Sequence, residues 1–221
     1  MITVVYFWRI KPIALPIAII NMATNKFLLK RVSGIRFIKL LGTGKGESFT
    51  PKDADQLRWG LLVTINKESN LEALEDSYVL KLWRKISNNQ YRVILKPISS
   101  HGLWSKKDPF LVEKFEWSGK VAAVTRARIV WRKNFQFWKA VPPVTESLHQ
   151  SPGLIAAIGI GEAPIGLQGT FSLWESAAAL RDFAYKGRAH VAAIAATESN
   201  KWYSEELFAR FAVIEEQGLL K

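Results

Sequence analysis

The sequence contains no cysteine among its 221 residues, which excludes disulfides, zinc–thiolate sites, iron–sulfur clusters and cysteine nucleophiles. It has only three histidines, and neither a Gly-x-Ser-x-Gly nor a His-Glu-x-x-His motif occurs. The usual signatures of serine hydrolases and zinc peptidases are therefore missing. A metal would have to be held by histidine, by carboxylates or within a cofactor.

Long apolar runs are also missing. No stretch of 18 or more uninterrupted apolar residues occurs, whereas a helix needs about 20 to cross a bilayer. Residues 13–20 are apolar, but Pro12 and Pro16 punctuate that segment and no small-residue cleavage site follows it. We therefore expect a cytoplasmic protein with no signal peptide and no membrane-spanning helix.

Acidic residues are few: 19 Asp and Glu stand against 31 Lys and Arg, so the net charge is +12. This balance favours anionic partners, either nucleic acid or an anionic membrane surface. Residues 1–118 carry +9 and residues 119–221 carry +3. Most of the tryptophans fall inside predicted strands and helices and not on an exposed basic platform, so nucleic acid is the less favoured partner.

An internal repeat organises the chain, which is 48% hydrophobic and can bury a large core. Hydrophobic periodicity predicts the order strand, helix, strand, strand, helix, strand in each half. The first half has predicted strands at 3–9, 34–41, 59–65 and 90–97, with helices at 16–29 and 71–86. The second half has predicted strands at 121–132, 153–158, 170–174 and 207–214, a helix broken or bent at Pro142 and Pro143, a helix that begins at Ser176 and ends at Gly187, and a further helix at 188–196.

Each half reads as a split β-α-β, ferredoxin-like unit, whose sheet leaves one apolar face uncovered by helices. Two such units in one chain cover each other. We predict an α+β protein with two halves, 1–118 and 119–221, whose antiparallel sheets pack together as a barrel-like sandwich and fold as one cooperative unit.

Two glycine-rich segments, 42–46 and 159–161, follow predicted strands and are interpreted as strand-exit turns. Neither fits a nucleotide loop. The spacing before Gly44 and after Lys45 differs from a Walker A loop, and Glu47 and Pro164 stand where a dinucleotide fingerprint needs a small residue.

His190 is the histidine with the most informative surroundings. It lies in a predicted helix near aromatic residues, whereas His101 and His149 lie in predicted loop or capping positions. A buried, hydrogen-bonded core histidine is one interpretation. The other is an axial ligand to haem iron, for which neutral imidazole is a common donor.

Three arginines share one face of the strand predicted at 121–132: Arg126, Arg128 and Arg132 alternate with apolar residues. Guanidinium groups pair with carboxylates and phosphates, so haem propionates or lipid headgroups would suit them. A solvent-facing strand edge explains them equally well.

Six segments, in order along nearly the whole chain, resemble the spheroidene monooxygenase family of acyclic carotenoid oxygenases. They are FIKLLGTGKGESFTP (37–51), VTRA (124–127), FWKAVP (137–142), GIGEAP (159–164), QGTFSLW (168–174) and WYSEELFARF (202–211). The N-terminal segment 10–16 departs from the family pattern.

The resemblance implies a haem-dependent oxygenase of the dimeric α/β-barrel type. Such an enzyme would oxidise the C2 position of an acyclic carotenoid to a hydroxy or keto product, using O2 and electrons from a donor such as reduced ferredoxin. By position, His190 would be the proximal iron ligand. Arg126 and Arg128 would hold the propionates, and Trp174, Phe183 and Trp202 would form an apolar wall.

The resemblance also sets expectations about partners. Because carotenoids reside in bilayers, we expect peripheral contact with an anionic membrane surface, which suits a charge of +12. A homodimer is a further expectation. Two other functions stay open at this point: a haem-free barrel that binds a lipid or small apolar ligand, and a haem carrier.

Overall fold

The computed structural model describes residues 1–48, 53–162, 167–186 and 200–220, and these form eight strands and five α-helices. The strands are β1 (Ile2–Ile10), β2 (Ile35–Gly44), β3 (Ala54–Ile65), β4 (Ser87–Gly102), β5 (Val121–Ile129), β6 (Leu154–Gly161), β7 (Leu167–Trp174) and β8 (Tyr203–Gln217). The helices are α1 (Leu15–Leu29), α2 (Leu71–Glu75), α3 (Tyr78–Ile86), α4 (Asn134–His149) and α5 (Ala177–Lys186).

All eight strands join in one closed antiparallel barrel, in the order β1-β3-β2-β6-β7-β5-β8-β4, with β4 paired back to β1. The mixed α and β composition and the antiparallel pairing are as predicted. The two predicted sheets, however, are not separate layers, because β2 pairs with β6 and β4 pairs with β8. These two seams turn the expected sandwich into a barrel.

Side chains from every strand meet inside the barrel in one apolar cluster. Because successive strand residues point to opposite faces, alternate residues of each strand face this interior. Phe7 packs edge-on against Phe171 with ring centroids 5.3 Å apart, and Phe110 packs edge-on against Phe211 at 4.8 Å. Phe110 belongs to the connection between β4 and β5, so this connection also fills the interior.

The outer faces of the strands pack against helices in two further clusters. Helices α1, α2 and α3 cover strands of the first half, and helices α4 and α5 cover β5 and β7. In the first cluster Tyr6, Trp8 and Trp83 form a continuous stack, with centroid separations of 5.2 Å and 5.1 Å. Each half of the chain therefore places its helices outside the barrel and its strands around the shared interior.

Five predicted elements differ from the structure. The segments 42–46 and 159–161 are not strand-exit turns, because Gly42 to Gly44 belong to β2 and Gly159 to Gly161 belong to β6. The helix predicted at 71–86 is two helices, since Ser77 caps α3 by accepting a hydrogen bond from the Leu80 amide. Helix α4 is not broken at Pro142 and Pro143, because it continues through both of them. Strand β5 ends at Ile129, so Arg132 lies in a 3-10 turn.

Ser176 accepts a hydrogen bond from the Ala179 amide at the start of α5, as predicted. The predicted helix end at Gly187 and the helix predicted at 188–196 lie outside the described residues.

The segment Pro12–Leu29 matches a membrane-spanning helix in length and composition, with 18 residues, a mean hydropathy of 1.4 and 28% of the window buried. The sequence predicts no such helix, since Pro12 and Pro16 punctuate its apolar run. They do not interrupt the segment, since Pro12 and Pro16 lie in the first turns of their helices, where no amide donor is needed.

Trp83→Ala is expected to lower the free energy of unfolding by about 3–5 kcal/mol, because Trp83 is fully buried and stacks on Trp8 at an interplanar angle of 13°. Urea unfolding followed by circular dichroism measures this loss. Tyr78→Ala on the same helix is the control: Tyr78 is 69% exposed, so a change within about 0.5 kcal/mol is expected. Equal losses in the two variants would contradict the packing argument.

Candidate functional site

Arg126 and Arg128 lie near the C-terminal end of β5, on the strand face that carries Ala122 and Val124 into the barrel interior. Arg126 is therefore at one mouth of the barrel, where it is 4% exposed. Arg128, two residues further on, is exposed outside that mouth. The alternation predicted from the sequence is confirmed for these two arginines.

Four charged side chains gather at this mouth, and we call them the mouth cluster: Lys39 of β2, Arg126 of β5, Glu162 and Glu205 of β8. Arg126 pairs with Glu205 and, at 3.3 Å, with Glu162. Lys39 pairs with Glu162 and also donates a hydrogen bond to the Ser105 hydroxyl at 2.6 Å. Two cations thus face two carboxylates, and the cluster is balanced in charge.

Trp104 covers the mouth cluster and is fully buried. Its indole Nε1 donates to Glu162 Oε1 at 2.6 Å, and its ring packs edge-on against Phe37 at 5.6 Å. The Lys39 Nζ lies 5.4 Å from the Trp104 ring centroid, and the Arg126 Cζ lies 5.9 Å from it. Trp104 therefore closes this end of the barrel and holds the ion pairs beneath its ring.

The turn that carries Trp104 is held by Glu205. Ser105 and Lys106 both have positive φ, 55° and 60°, and Trp104 pairs with Lys107 across them. The carboxylate of Glu205 accepts hydrogen bonds from the Ser105 amide at 3.0 Å and the Lys106 amide at 2.7 Å. Glu205 thus stabilises a left-handed backbone that residues other than glycine seldom adopt.

The electrostatics of the mouth cluster keep both of its carboxyl groups ionised near neutral pH. Burial raises the pKa of Glu162, but hydrogen bonds from Lys39 and Trp104 and the nearby cations outweigh it and lower this pKa below its ordinary value. Burial likewise raises the pKa of Glu205, and the two backbone amides and Arg126 lower it overall. Burial lowers the pKa of Lys39. A general acid or base near neutral pH needs a carboxyl pKa shifted upward.

A cleft of about 730 Å³ lies outside the mouth, between the start of β8 and the end of β4. It is lined by Gly102, Leu103, Ser105, Lys106, Arg128, Ser204, Glu205 and Glu206. Six of these eight side chains are polar or charged, although carbon atoms contribute most of the surface that lines the cleft.

The aromatic residues predicted as an apolar wall fall in two places. Trp174 and Phe183 stack at 5.3 Å with an interplanar angle of 29°, on the outer face of the barrel beneath α5. Trp202 instead packs edge-on against Phe137 of α4 at 6.0 Å. Arg126 faces the barrel interior, so the barrel wall separates it from Trp174 and Phe183.

His190 lies outside the described residues, so its predicted role as an iron ligand stays a prediction. The other two histidines are placed. His149 hydrogen-bonds through Nε2 to the Gly46 carbonyl at 2.7 Å, and His101 is exposed on β4. Among the described residues no three His, Asp or Glu side chains cluster as a metal site would require.

Sequence reasoning did not select Lys39, Trp104, Glu162 or Glu205. One signal was available for Lys39, because it recurs at period two with Phe37 and Leu41, both of which face the interior. A lone lysine on a buried strand face needs an acidic partner nearby. That partner, Glu162, lies in the family-like segment 159–164, more than a hundred residues away, and no pattern in the sequence links it to Lys39.

No protein-family model matches this chain. Spheroidene monooxygenase from Rhodobacter capsulatus is 34% identical over 209 residues, covering 93% of this chain and 86% of that protein. Spheroidene monooxygenase from Cereibacter sphaeroides is 33% identical over 88% of this chain, which spans 60% of that protein's length. A crystal structure of aldoxime dehydratase has a TM-score of 0.60 at 9% identity, covering 96% of this chain and 80% of that one, so the likeness concerns the fold alone.

Glu162→Gln is expected to lower the free energy of unfolding by about 3 kcal/mol at pH 7, because Lys39 and Arg126 lose a charged partner in a buried setting. Urea unfolding measures the loss. In the control Glu113→Gln, the Glu113 side chain is 58% exposed and pairs with Lys96 at 3.3 Å, so a loss below about 1 kcal/mol is expected.

The wild-type protein should also lose stability in acid. Glu162 and Glu205 have lowered pKa values when folded, so their contribution is present above the ordinary pKa of 4.5 and is lost as the pH falls through the lowered values. Unfolding measured between pH 3 and pH 6 should show a shallower dependence in Glu162→Gln. An unchanged pH dependence would mean that Glu162 is not part of the linkage.

Proposed function

Because this chain belongs to the spheroidene monooxygenase family, we propose that it oxidises the C2 position of an acyclic carotenoid, with haem as its cofactor. Membership confirms the predicted family and the enzyme class that goes with it, an oxygenase. The observation that carries the proposed substrate is the sequence identity of 34% over 93% of the chain to a relative named for spheroidene oxidation.

The proposed reaction inserts oxygen twice at one carbon. Each insertion consumes one O2, two electrons and two protons; one oxygen atom enters the C–H bond and the other leaves as water. The first insertion gives an alcohol, and the second gives a geminal diol that loses water to become a ketone. The electrons come from an external one-electron donor protein of the reduced ferredoxin class.

The described residues support the cofactor proposal in part. Haem, when bound, would supply the iron that activates O2. A flat apolar surface suits it; the stacked pair Trp174 and Phe183 beneath α5 is apolar, but Trp174 is fully buried, so only the half-buried Phe183 reaches the surface there. His190 follows α5 by four residues in the sequence. His149 is a weaker candidate for the iron ligand, because its Nε2 is hydrogen-bonded to the Gly46 carbonyl. We propose His190 as the iron ligand.

The predicted propionate contacts of Arg126 and Arg128 do not fit the same surface. Arg126 is engaged by Glu162 and Glu205 at the barrel mouth, on the other side of the barrel wall from Trp174. Arg128 is on that same mouth side, although it is exposed. We therefore assign no propionate partner. Trp202, placed against Phe137 of α4, is assigned to packing of α4 and not to the proposed wall.

The chain's own contribution in this proposal is enclosure. The buried stack of Trp174 and Phe183, together with Leu180 and Leu148, presents hydrocarbon and excludes water from the outer face of β7. The barrel interior is filled by its own side chains, so the proposal places the carotenoid end group outside the barrel wall and not inside it.

We also propose that the barrel consists of two ferredoxin-like units, 1–118 and 119–221, that fold as one. The strand order supports this, because the halves run β4-β1-β3-β2 and β8-β5-β7-β6 around the barrel, the same order in each. The interior cluster draws on both halves. A homodimer stays a prediction, which sedimentation of the purified protein would decide.

The test of the proposed function is an absorption spectrum of protein purified from cells supplied with a haem precursor, in oxidised, reduced and CO-bound forms. We expect a Soret band that shifts with CO in the wild type. In His190→Ala that band should fall at least tenfold, while His149→Ala should keep it. Product analysis after incubation with detergent-dispersed spheroidene, O2 and reduced ferredoxin should show hydroxy and keto products.

Three results would contradict this proposal. The first is full haem occupancy in His190→Ala, which would exclude His190 as the ligand. The second is the absence of a Soret band in wild-type protein to which haem has also been offered in vitro, which would favour a haem-free barrel that binds an apolar ligand. A Soret band without any product would favour a haem carrier.

A further inference from the structure

Helix α1 carries large apolar residues on the face that points away from the barrel, which is unusual for a helix that only packs on a barrel. Its buried residues are Ala18, Asn21, Asn25 and Leu29, two of them polar. Neither buried Asn amide nitrogen has a hydrogen-bond partner among the described residues. A surface helix ordinarily turns its apolar side inward and its polar side to water.

The outward face of this segment is strongly apolar. Ile13 is 89% exposed, Ile20 is 59% exposed and Phe27 is 66% exposed. With Ile17 these residues recur at intervals of four, three and seven positions, which places them on one side of the helix. Thr24, which lies between them, donates its hydroxyl to the Ile20 carbonyl and so presents mainly its methyl group.

Positive charge borders this apolar stripe. The first 46 residues contain eight Lys and Arg and no Asp or Glu. Four of these cations lie at the two ends of the helical segment or beside it, all exposed: Lys11, Lys26, Lys30 and Arg31. In the described part of the chain no carboxylate lies within ion-pair distance of any of them.

We propose that this surface, the exposed side of Pro12–Leu29 with its four bordering cations, docks on an anionic phospholipid bilayer. The apolar stripe would enter the boundary between headgroups and acyl chains, and the cations would contact lipid phosphates. This inference rests on the proposed function only for the purpose of docking. An enzyme seated on the bilayer can reach a carotenoid that is dissolved in it.

The same observations argue against two other arrangements. Crossing the bilayer would expose to lipid a face that carries Asn21 and Asn25 and that packs on the barrel. A symmetric contact with a second copy of the chain would bring the same four cations against each other with no carboxylate between them. An anionic bilayer satisfies both the apolar stripe and the charge.

Vesicle co-sedimentation tests the proposal, with vesicles of phosphatidylcholine alone and with 30% phosphatidylglycerol. The wild type should bind the anionic vesicles at least tenfold more tightly. Ile13→Glu with Ile20→Glu should lower that binding at least about tenfold. The matched control, Ile155→Glu with Ile214→Glu, adds the same charge at exposed positions on β6 and β8 and should bind within twofold of the wild type.

The absence of cysteine permits a second measurement that does not depend on binding strength. An environment-sensitive fluorophore on Thr24→Cys should shift to the blue with anionic vesicles and be quenched by lipids that carry a nitroxide high on the acyl chain. The same probe on Gln150→Cys, at the end of α4 in the other half, should do neither. Both variants should keep the wild-type thermal midpoint.

Three outcomes would overturn the proposal: equal loss of binding in the two double-glutamate variants, equal quenching at positions 24 and 150, or a dimer in solution that Ile13→Glu with Ile20→Glu dissociates. Failure of the proposed function is separate. If docking fails while detergent-dispersed spheroidene is still oxidised, only this inference falls; if docking holds without any oxidation, only the proposed function falls.

Discussion

Closure of the barrel is the constraint on which the rest of the structure depends. Once β2 meets β6 and β4 meets β8, the inner faces of both halves share one interior, and the five described helices pack outside it. At the first seam Gly42 pairs with Gly161, and Thr43 pairs with Ile160. The same pairing brings Lys39 of β2 to Glu162, which follows β6 directly. The seam that completes the fold thus also assembles the ion pairs at the mouth.

Closure also divides the chemistry between two sides of one wall. Inside, the polar groups near the mouth are matched ion pairs with lowered carboxyl pKa values beneath Trp104, an arrangement that holds a structure in place. Outside, the surface beneath α5 is aromatic and apolar, with Trp174 stacked on Phe183. Under the proposed function a polyene is oxidised in the second environment, because a buried ion-pair cluster would have to be desolvated around a ligand that offers it no hydrogen bonds.

Much of the architecture could be predicted from the sequence, because strand alternation and the repeated order of elements are local signals. The division between α2 and α3 was missed because Leu71, Leu74 and Tyr78 share helical spacing, although Tyr78 proves to be exposed. Strand periodicity predicts neither the closure of the barrel, which only the resemblance to the family implies, nor the mouth cluster. They depend on the stagger between strands far apart in sequence, and a single sequence does not record that stagger. Family membership came from ordered motifs and not from any one residue.

The turn at Ser105 and Lys106 is a place where an unfavourable backbone conformation lowers the stability of the fold. Two consecutive residues other than glycine hold the left-handed conformation there, at a cost on the order of 1 kcal/mol each. Glu205 stabilises them by accepting hydrogen bonds from their backbone amides, which any residue except proline would supply. The Lys106 side chain is not needed for that bond, whereas the Ser105 hydroxyl is used by Lys39. For protein engineering, position 106 is therefore a site where glycine would relieve backbone strain while leaving Trp104 in place over the barrel mouth.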